Sequence, residues 1–478
     1  MYVNRNKLTE LRTGVLKTLS VCLVAIGVSC HKQNLDVESF LPQDVNLSNA
    51  PTSLIQKLSD TEHSFRNEQQ KTEHLLKLSR LYHANGYLNE AILCYEGLIQ
   101  LDPKNPKWYH LLATILSGYG YTDDAIELWN ESIDLNHQYL PSKIRKADAL
   151  LKSARTEEAY EVYSQILDDH PQNPYALIGL ARLEIQQDDY ENAKRLLELA
   201  SENSNGKLGK DLLVSVYEKL GMDYEAFAIR SEALASGSYV DVHDPWMLDI
   251  MHDCHIPAQI MNTAGYLAFR GETDQAIRWL KKVIRIDPEN ANAHFQIAGA
   301  YRSQGNAGLA AAYFQKTTEL QPSFSDAWIQ WATILEEKGK QGESEWVFYT
   351  GLKNCPNSPA FKIEYARRLM KERRYEKAIS ELETSIQLRP NEALAYIELA
   401  RCHFALDQVE KGIEAMQNAL NQEYGNTVAM TTLCFHAIVK GNQLAALEWL
   451  KKIRIHPRVK TETLAQLEKK YALTFGSD

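Results

Sequence analysis

Four side chains able to bind metal crowd into one short stretch: His243, His252, Cys254 and His255, within DVHDPWMLDIMHDCHI (241–256). Imidazole nitrogens and thiolates are the usual zinc ligands, and zinc sites present them at recurring spacings. The spacing here matches no common zinc site, so no metal is expected. No CxxC pair occurs among the seven cysteines, which leaves a zinc knuckle, a redox pair or a c-type haem without support. A phosphate-binding glycine loop, a GxSxG elbow and an HExxH helix are all missing from the sequence. The expectation is a chain with no catalytic residue and no cofactor, and so not an enzyme.

Cys30 is the other thiol whose surroundings suggest chemistry. Arg5, Lys7, Arg12 and Lys17 precede an apolar stretch from Thr18 to Val28, about 11 residues and too short to span a bilayer, but suited to a secretory signal. Its end, Ile26-Gly27-Val28-Ser29-Cys30, resembles the box of bacterial lipoproteins, where cleavage before the cysteine leaves its thiol to carry a diacylglycerol. Gly27 departs from the branched aliphatic or leucine usual there. Ordinary cleavage after Gly27, giving a soluble periplasmic or secreted protein, stays open beside it, as does an apolar start with no sorting meaning. The resemblance implies membrane contact through a lipidated Cys30. His31, rather than aspartate, after the cysteine implies the outer membrane, by similarity to enteric lipoproteins. Residues 31–50 are polar and read as a tether.

The elements behind these groups are set by a period. Alanines at 91, 125, 159 and 193 recur every 34 residues, as do prolines at 288, 322, 356 and 390. Within 257–290, apolar residues fall at helical spacing (Ile260, Ala264, Leu267, then Ala276, Leu280, Val283), with Gly271 between the two runs. That pattern predicts helix, tight turn, helix, with Gly271 closing the first helix in the left-handed conformation. Ala264 and Ala276 mark the places where the paired helices approach most closely. Their equivalents along the chain are nearly all small, and a larger side chain there would cost roughly 1–3 kcal/mol by overpacking. Four places after the second, a large apolar residue such as Tyr95, Trp129, Tyr163, Phe314 or Phe348 fills the next gap.

This small-plus-aromatic spacing with a late proline resembles the tetratricopeptide repeat. The resemblance implies an all-α, right-handed α-solenoid of about eleven 34-residue helix-turn-helix units. It covers roughly residues 72 to 458, and its weakest unit is 207–240, where Arg230 stands at the aromatic place. The organisation expected is a signal peptide at 1–29, a tether and capping segment at 30–71 and a first block of about five units at 72–240. An insert at 241–256, six units at 257–458 and a C-terminal capping helix and tail at 459–478 complete it. The insert is the one break in the period: Ala226 to Ala276 is 50 residues, one 34-residue period plus 16. Asp244-Pro245 is a good helix start, and Trp246 with Ile250, and Met247 with Met251, give it an apolar stripe. The insert is expected to be a packed helix that bends the stack or covers part of its groove.

The formal net charge is −10, and without residues 1–29 it is −13 (48 basic against 61 acidic), so nothing basic enough for a nucleic-acid groove remains. By resemblance to the family, the first helices of successive units line a concave face where protein or peptide segments lie. Its sixth places in the second block read Asn262, Gln296, Gln330, Glu364 and Glu398, a ladder able to hydrogen-bond a peptide backbone. Met261, Phe269, Phe295 and Arg302 neighbour it, with Gly265 and Gly299 opening space. The carboxylate clamp of cochaperone members needs a basic and asparagine set in consecutive first helices. The first three units supply Lys77, Arg80, His83, Leu111 and Asp148, which do not match it. The function expected is an envelope scaffold that holds partner segments to assemble an envelope, secretion or pilus-type complex. The alternative is an accessory subunit of an exported enzyme or cytochrome system, docking through Trp246, Met247 and Ile250. Partner identity and oligomeric state are not legible.

Overall fold

The computed structural model describes residues 37–204, 208–236, 241–456 and 458–476. Cys30 and the expected leader lie outside them. Among the described residues there are 25 α-helices and no strand. The chain divides into two compact units, one taking residues up to 155 together with 243–259, the other taking 156–242 with 260–478. The compact units thus differ from the two blocks read from the period: the division falls inside the third repeat, and most of the insert goes with the first unit.

In the first unit, α1 (Thr52–Asn67) precedes α2 (Lys71–Ala84), α3 (Leu88–Leu101), α4 (Pro106–Gly118), α5 (Thr122–Leu135) and α6 (Leu140–Lys152). The second unit begins with α7 (Thr156–Asp169), α8 (Pro174–Gln186), α9 (Tyr190–Asn203), α10 (Lys210–Lys219) and α11 (Asp223–Ser236). The insert contributes α12 (Pro245–Ile250) to the first unit. The second unit resumes at residue 260, within α13 (Pro257–Phe269), and continues with α14 (Thr273–Ile286), α15 (Ala291–Ser303), α16 (Ala307–Leu320), α17 (Ser325–Glu337) and α18 (Gln341–Asn354). It ends with α19 (Pro359–Lys371), α20 (Tyr375–Leu388), α21 (Ala393–Ala405), α22 (Val409–Gln422), α23 (Thr427–Val439), α24 (Gln443–Ile455) and α25 (Thr461–Phe475). Setting aside α1, α12 and α25, these are eleven helix pairs, a helical-repeat solenoid.

The repeat places behave as their sizes require. Ala91, Ala125, Ala193 and Ala310 are fully buried, and so are the larger residues four places on, from Tyr95 to Leu450. At Gly412 the close approach is tighter still: a Cβ there would lie 2.3 Å from the Phe404 ring. Ser344, a polar residue at the same place, satisfies its hydroxyl by donating to the Ala332 carbonyl at 2.8 Å. Gly271 closes α13 with φ +85°, and the equivalent place stays left-handed without glycine at Ala154 (φ 57°), Asp188, Arg373 and Asp407. The period therefore fixes the turn geometry, and glycine only eases it.

Residues 37–50, read from sequence as part of a tether, are seated on the first unit. Val37–Phe40 form a 3-10 turn and Leu41 is buried. Phe40 packs against α3 where Gly97 leaves room; a Cβ on Gly97 would come within 2.6 Å of its ring. Two apolar residues in a polar stretch carry too little periodicity to reveal this packing.

Candidate functional site

The first helices of three successive repeats, α2, α4 and α6, share a face, and the insert lies on it. Asp244 caps α12, its carboxylate accepting from the Met247 N–H at 3.1 Å. The same carboxylate accepts from the Tyr139 hydroxyl at 2.5 Å, lies 2.7 Å from His110 Nε2, and stands 3.4 Å from Arg145 Nε. Burial would raise its pKa, but the hydrogen bonds of His110 and Tyr139 and the charge of Arg145 hold it well below the usual carboxylate range. Behind His110 the chain of contacts continues, with Nδ1 2.8 Å from Ser142 Oγ, which is 3.1 Å from Ser132 Oγ. One arrangement satisfies every member: Nε2–H donates to Asp244, while Ser132 donates to Ser142 and Ser142 to Nδ1. His110, Ser132 and Ser142 are all fully buried, so the base of this face is polar where a repeat interior is ordinarily apolar.

Next to this anchor, Trp246 stacks on Tyr139 with ring centroids 3.4 Å apart, and His110 meets both rings edge-on. Tyr139 Oη also accepts from the Trp246 N–H at 3.2 Å. Further along, Arg80 Nη1 and Lys107 Nζ each sit 2.8 Å from Asp249, and Arg80 Nε sits 2.5 Å from Asp253. Burial opposes the charge of Asp249, and Lys107 and Arg80 outweigh it, lowering its pKa. Asn85 closes the run, donating to the Asp253 carbonyl at 2.9 Å and accepting from the His255 N–H at 2.6 Å. Arginine and lysine at the rim, a histidine and an aromatic at the base and an amide on the backbone thus hold the insert by its carboxylates, one large ring and its main chain.

Two of the possible metal ligands of the insert, His255 and Cys254, make other contacts. His255 is buried with Nδ1 2.8 Å from Ser53 Oγ, and the Cys254 thiol approaches Gln259 Oε1 at 3.5 Å. Among the described residues no group of three His, Cys, Asp or Glu is placed to hold a metal ion. Trp246 and Ile250, read as docking residues for an external partner, are engaged inside the chain, Ile250 being fully buried; Met247 is half-buried.

In the second unit the groove residues read from sequence divide into exposed and engaged. Asn262 and Gln296 are exposed, Phe269 is 37% exposed and Met261 is half-buried. Phe295 packs inward, stacked on Phe324 at 4.7 Å and edge-on to Phe314 at 5.4 Å. Arg302 donates to the Gln330 side-chain oxygen and pairs with Glu337 at 3.0 Å. At the last two ladder places Glu364 pairs with Arg367 at 2.5 Å, and the buried Glu398 lies between Arg367 and Arg401. The ladder thus ends in an ion-pair network after Gln330. Sequence reasoning named Arg80 only in setting aside a carboxylate clamp, and missed Lys107, His110, Tyr139 and Arg145. The available signal was basic residues in consecutive first helices facing an insert with Asp244, Asp249 and Asp253.

Comparison with known proteins identifies the repeat. Profiles described as tetratricopeptide repeat match residues 150–213 and 369–434, and 75–105 and 291–324; one described as TPR repeat matches 268–305. The chain is a tetratricopeptide repeat protein. Such repeats are generally non-catalytic scaffolds that bind peptide or protein partners, and this tetratricopeptide repeat protein is a protein-interaction scaffold. A curated relative, DnaJ homolog subfamily C member 3 of Gallus gallus, is 22% identical over 237 residues, 49% of this chain and 40% of that protein. The chain therefore spans less than half the length of that relative. Among solved structures, yeast Tom70 aligns at 13% identity over 88% of this chain and 96% of its own (TM-score 0.40). The Cut9–Hcn1 hetero-tetramer of the APC/C aligns at 13% over 87% and 98% (TM-score 0.38). PilF of Pseudomonas aeruginosa aligns at 16% over 45% and 97% (TM-score 0.38).

Proposed function

We propose that this tetratricopeptide repeat protein is a non-enzymatic scaffold of the bacterial cell envelope. It is anchored through a lipid on Cys30 at the periplasmic face of the outer membrane and holds partner segments to assemble an envelope, secretion or pilus-type complex. The observation that supports segment binding is the insert: the first-helix face of three repeats already carries a protein segment through polar and aromatic contacts. The corresponding face of the second unit presents exposed Asn262 and Gln296, and beside them Gly265 and Gly299 leave open space. Side-chain amides there offer a donor and an acceptor to a peptide backbone without reading its sequence. The support for the envelope is the basic, then apolar, N-terminus ending in Ser29-Cys30. Nothing in the geometry favours an accessory subunit docking through the insert, since Trp246 and Ile250 are engaged within the chain.

The test is a crosslinked pull-down from the native host, comparing wild type with Asn262→Ala/Gln296→Ala/Gln330→Ala. A partner captured by wild type and lost from the folded variant supports the second-unit groove; equal capture by both removes it. Intact mass of the membrane-purified protein tests the anchor, and a mass lacking acyl groups at Cys30 eliminates it.

A further inference from the structure

We propose that Asp244–His255 is an intramolecular ligand, and that the face formed by α2, α4 and α6 exchanges it for a partner segment of the same chemistry. That chemistry is an aspartate two places ahead of a large aromatic ring, with further carboxylates five and nine places after the first, as in Asp244, Trp246, Asp249 and Asp253. The inference stands on the first unit alone and is independent of the second-unit groove.

Three observations carry it. First, the insert lies outside the repeat period and is held by side chains of the repeats. Its own regular structure is one helix of six residues and a 3-10 turn of three. Second, the receiving face is built for a carboxylate. His110 is fully buried, oriented from behind by Ser142 and Ser132, and directs Nε2 at Asp244. A strap needed only for stability would be held as well by apolar side chains of similar volume, whereas a buried polar set selects what can occupy the place. Third, the remaining contacts are of exchangeable strength. The Asp249 side chain is 43% exposed and that of Asp253 29%, so the pairs with Arg80 and Lys107 are screened by water. Tethering raises the local concentration of the insert to roughly millimolar, so even a weak ligand fills the site until a tighter segment arrives.

The probe is a labelled synthetic peptide with the sequence of residues 241–256, cysteine replaced by serine, titrated into the full chain. Two variants weaken the insert without touching the receiving face: Trp246→Ala and Asp249→Ala/Asp253→Ala. The second alters only partly exposed rim pairs and keeps the test intact if the first does not fold. Fluorescence anisotropy is expected to show binding about tenfold or more tighter than to wild type for Trp246→Ala, and at least about threefold tighter for the rim variant. Adding His110→Ala is expected to abolish it. In wild type, saturating peptide is expected to deprotect the Met247 and His255 amides against hydrogen exchange. The proposal is overturned if a folded variant binds no tighter than wild type, or if those amides stay protected at every peptide concentration.

Discussion

The indole of Trp246 lies face to face with the ring of Tyr139, the planes 11° apart, although 107 residues separate them along the chain. Tyr139 immediately precedes α6, and Trp246 occupies the first turn of α12, so this stack joins a repeat to a segment that belongs to no repeat. Replacing Trp246 with alanine removes the stack and the edge contact with His110. The expected cost is about 1.5–3 kcal/mol, confined to the docking of the insert. Limited proteolysis should then cut within 244–256 while the repeats stay intact. An unchanged cleavage pattern would show that the stack does not anchor the insert.

The two aspartates of the insert should respond unequally to loss of charge. In Asp244→Asn the amide keeps the shape, yet it cannot accept from His110, Tyr139 and the Met247 N–H together, and one buried donor is left facing an NH2 group. The expected loss is about 2–4 kcal/mol of insert docking. Asp249→Asn weakens half-exposed pairs with Arg80 and Lys107 and should cost less than about 1 kcal/mol. Hydrogen exchange of the insert amides measures both, and equal losses would contradict the ordering by burial.

Much of this was legible because a repeat writes each contact many times. The small places, the large apolar residue four places on and the turn all follow from spacing, and Arg230 marked the one repeat that breaks the rule. The structure explains that break: Phe227 of α11 enters the cluster of Met430, Cys434 and Leu450, and the Arg230 guanidinium lies 4.9 Å over Tyr424. Periodicity reports a repeat and its neighbour, so a contact between α11 and the last repeats leaves no trace in it. The insert was legible as a helix from Asp244-Pro245 and as a candidate cover for part of the groove, but which repeats and which side chains receive it was not. Three aspartates and five groups spread over three successive repeats show their match only once the fold sets their register.

Backbone conformation and close packing make opposite demands at two places, which a pair of substitutions can separate. Ala154 holds φ 57° at a turn where other repeats use glycine, so Ala154→Gly should stabilise by roughly 0.5–1 kcal/mol. Gly179 lies in α8 beneath Tyr163, and a Cβ there would come 2.3 Å from the ring. Gly179→Ala should therefore destabilise by about 1–3 kcal/mol, despite the better helix propensity of alanine. Gly265→Ala meets open space and should stabilise by up to about 1 kcal/mol. Urea midpoints of the three variants check the set; a stabilised Gly179→Ala would refute the packing argument.

A buried histidine and a half-buried glutamate on neighbouring helices should give the first unit opposing pH dependences. His83, with Nδ1 3.0 Å from Tyr95 Oη, has its pKa lowered by burial from 6.5 to about 4, a shift that Asp244 opposes and His110 assists. Glu96 on α3 is pushed up by burial from 4.5 to about 7, and its Oε1 has no hydrogen-bond partner among the described residues. Between pH 4 and 6.5 the unfolded chain binds the extra proton at His83, so stability falls as pH drops through that window. Between pH 4.5 and 7 the folded chain holds the extra proton at Glu96, so stability falls as pH rises. From pH 4.5 to 6.5 the two slopes nearly cancel; the lowered pKa of Asp244 acts only below its ordinary 3.8. Glu96→Gln removes one slope. Over that window the variant should gain about 2–3 kcal/mol of stability relative to wild type as pH rises. Hydrogen exchange of the α2 and α3 amides at several pH values, corrected for intrinsic exchange, reads this directly. Parallel profiles for wild type and variant would show that Glu96 does not hold its proton in the fold.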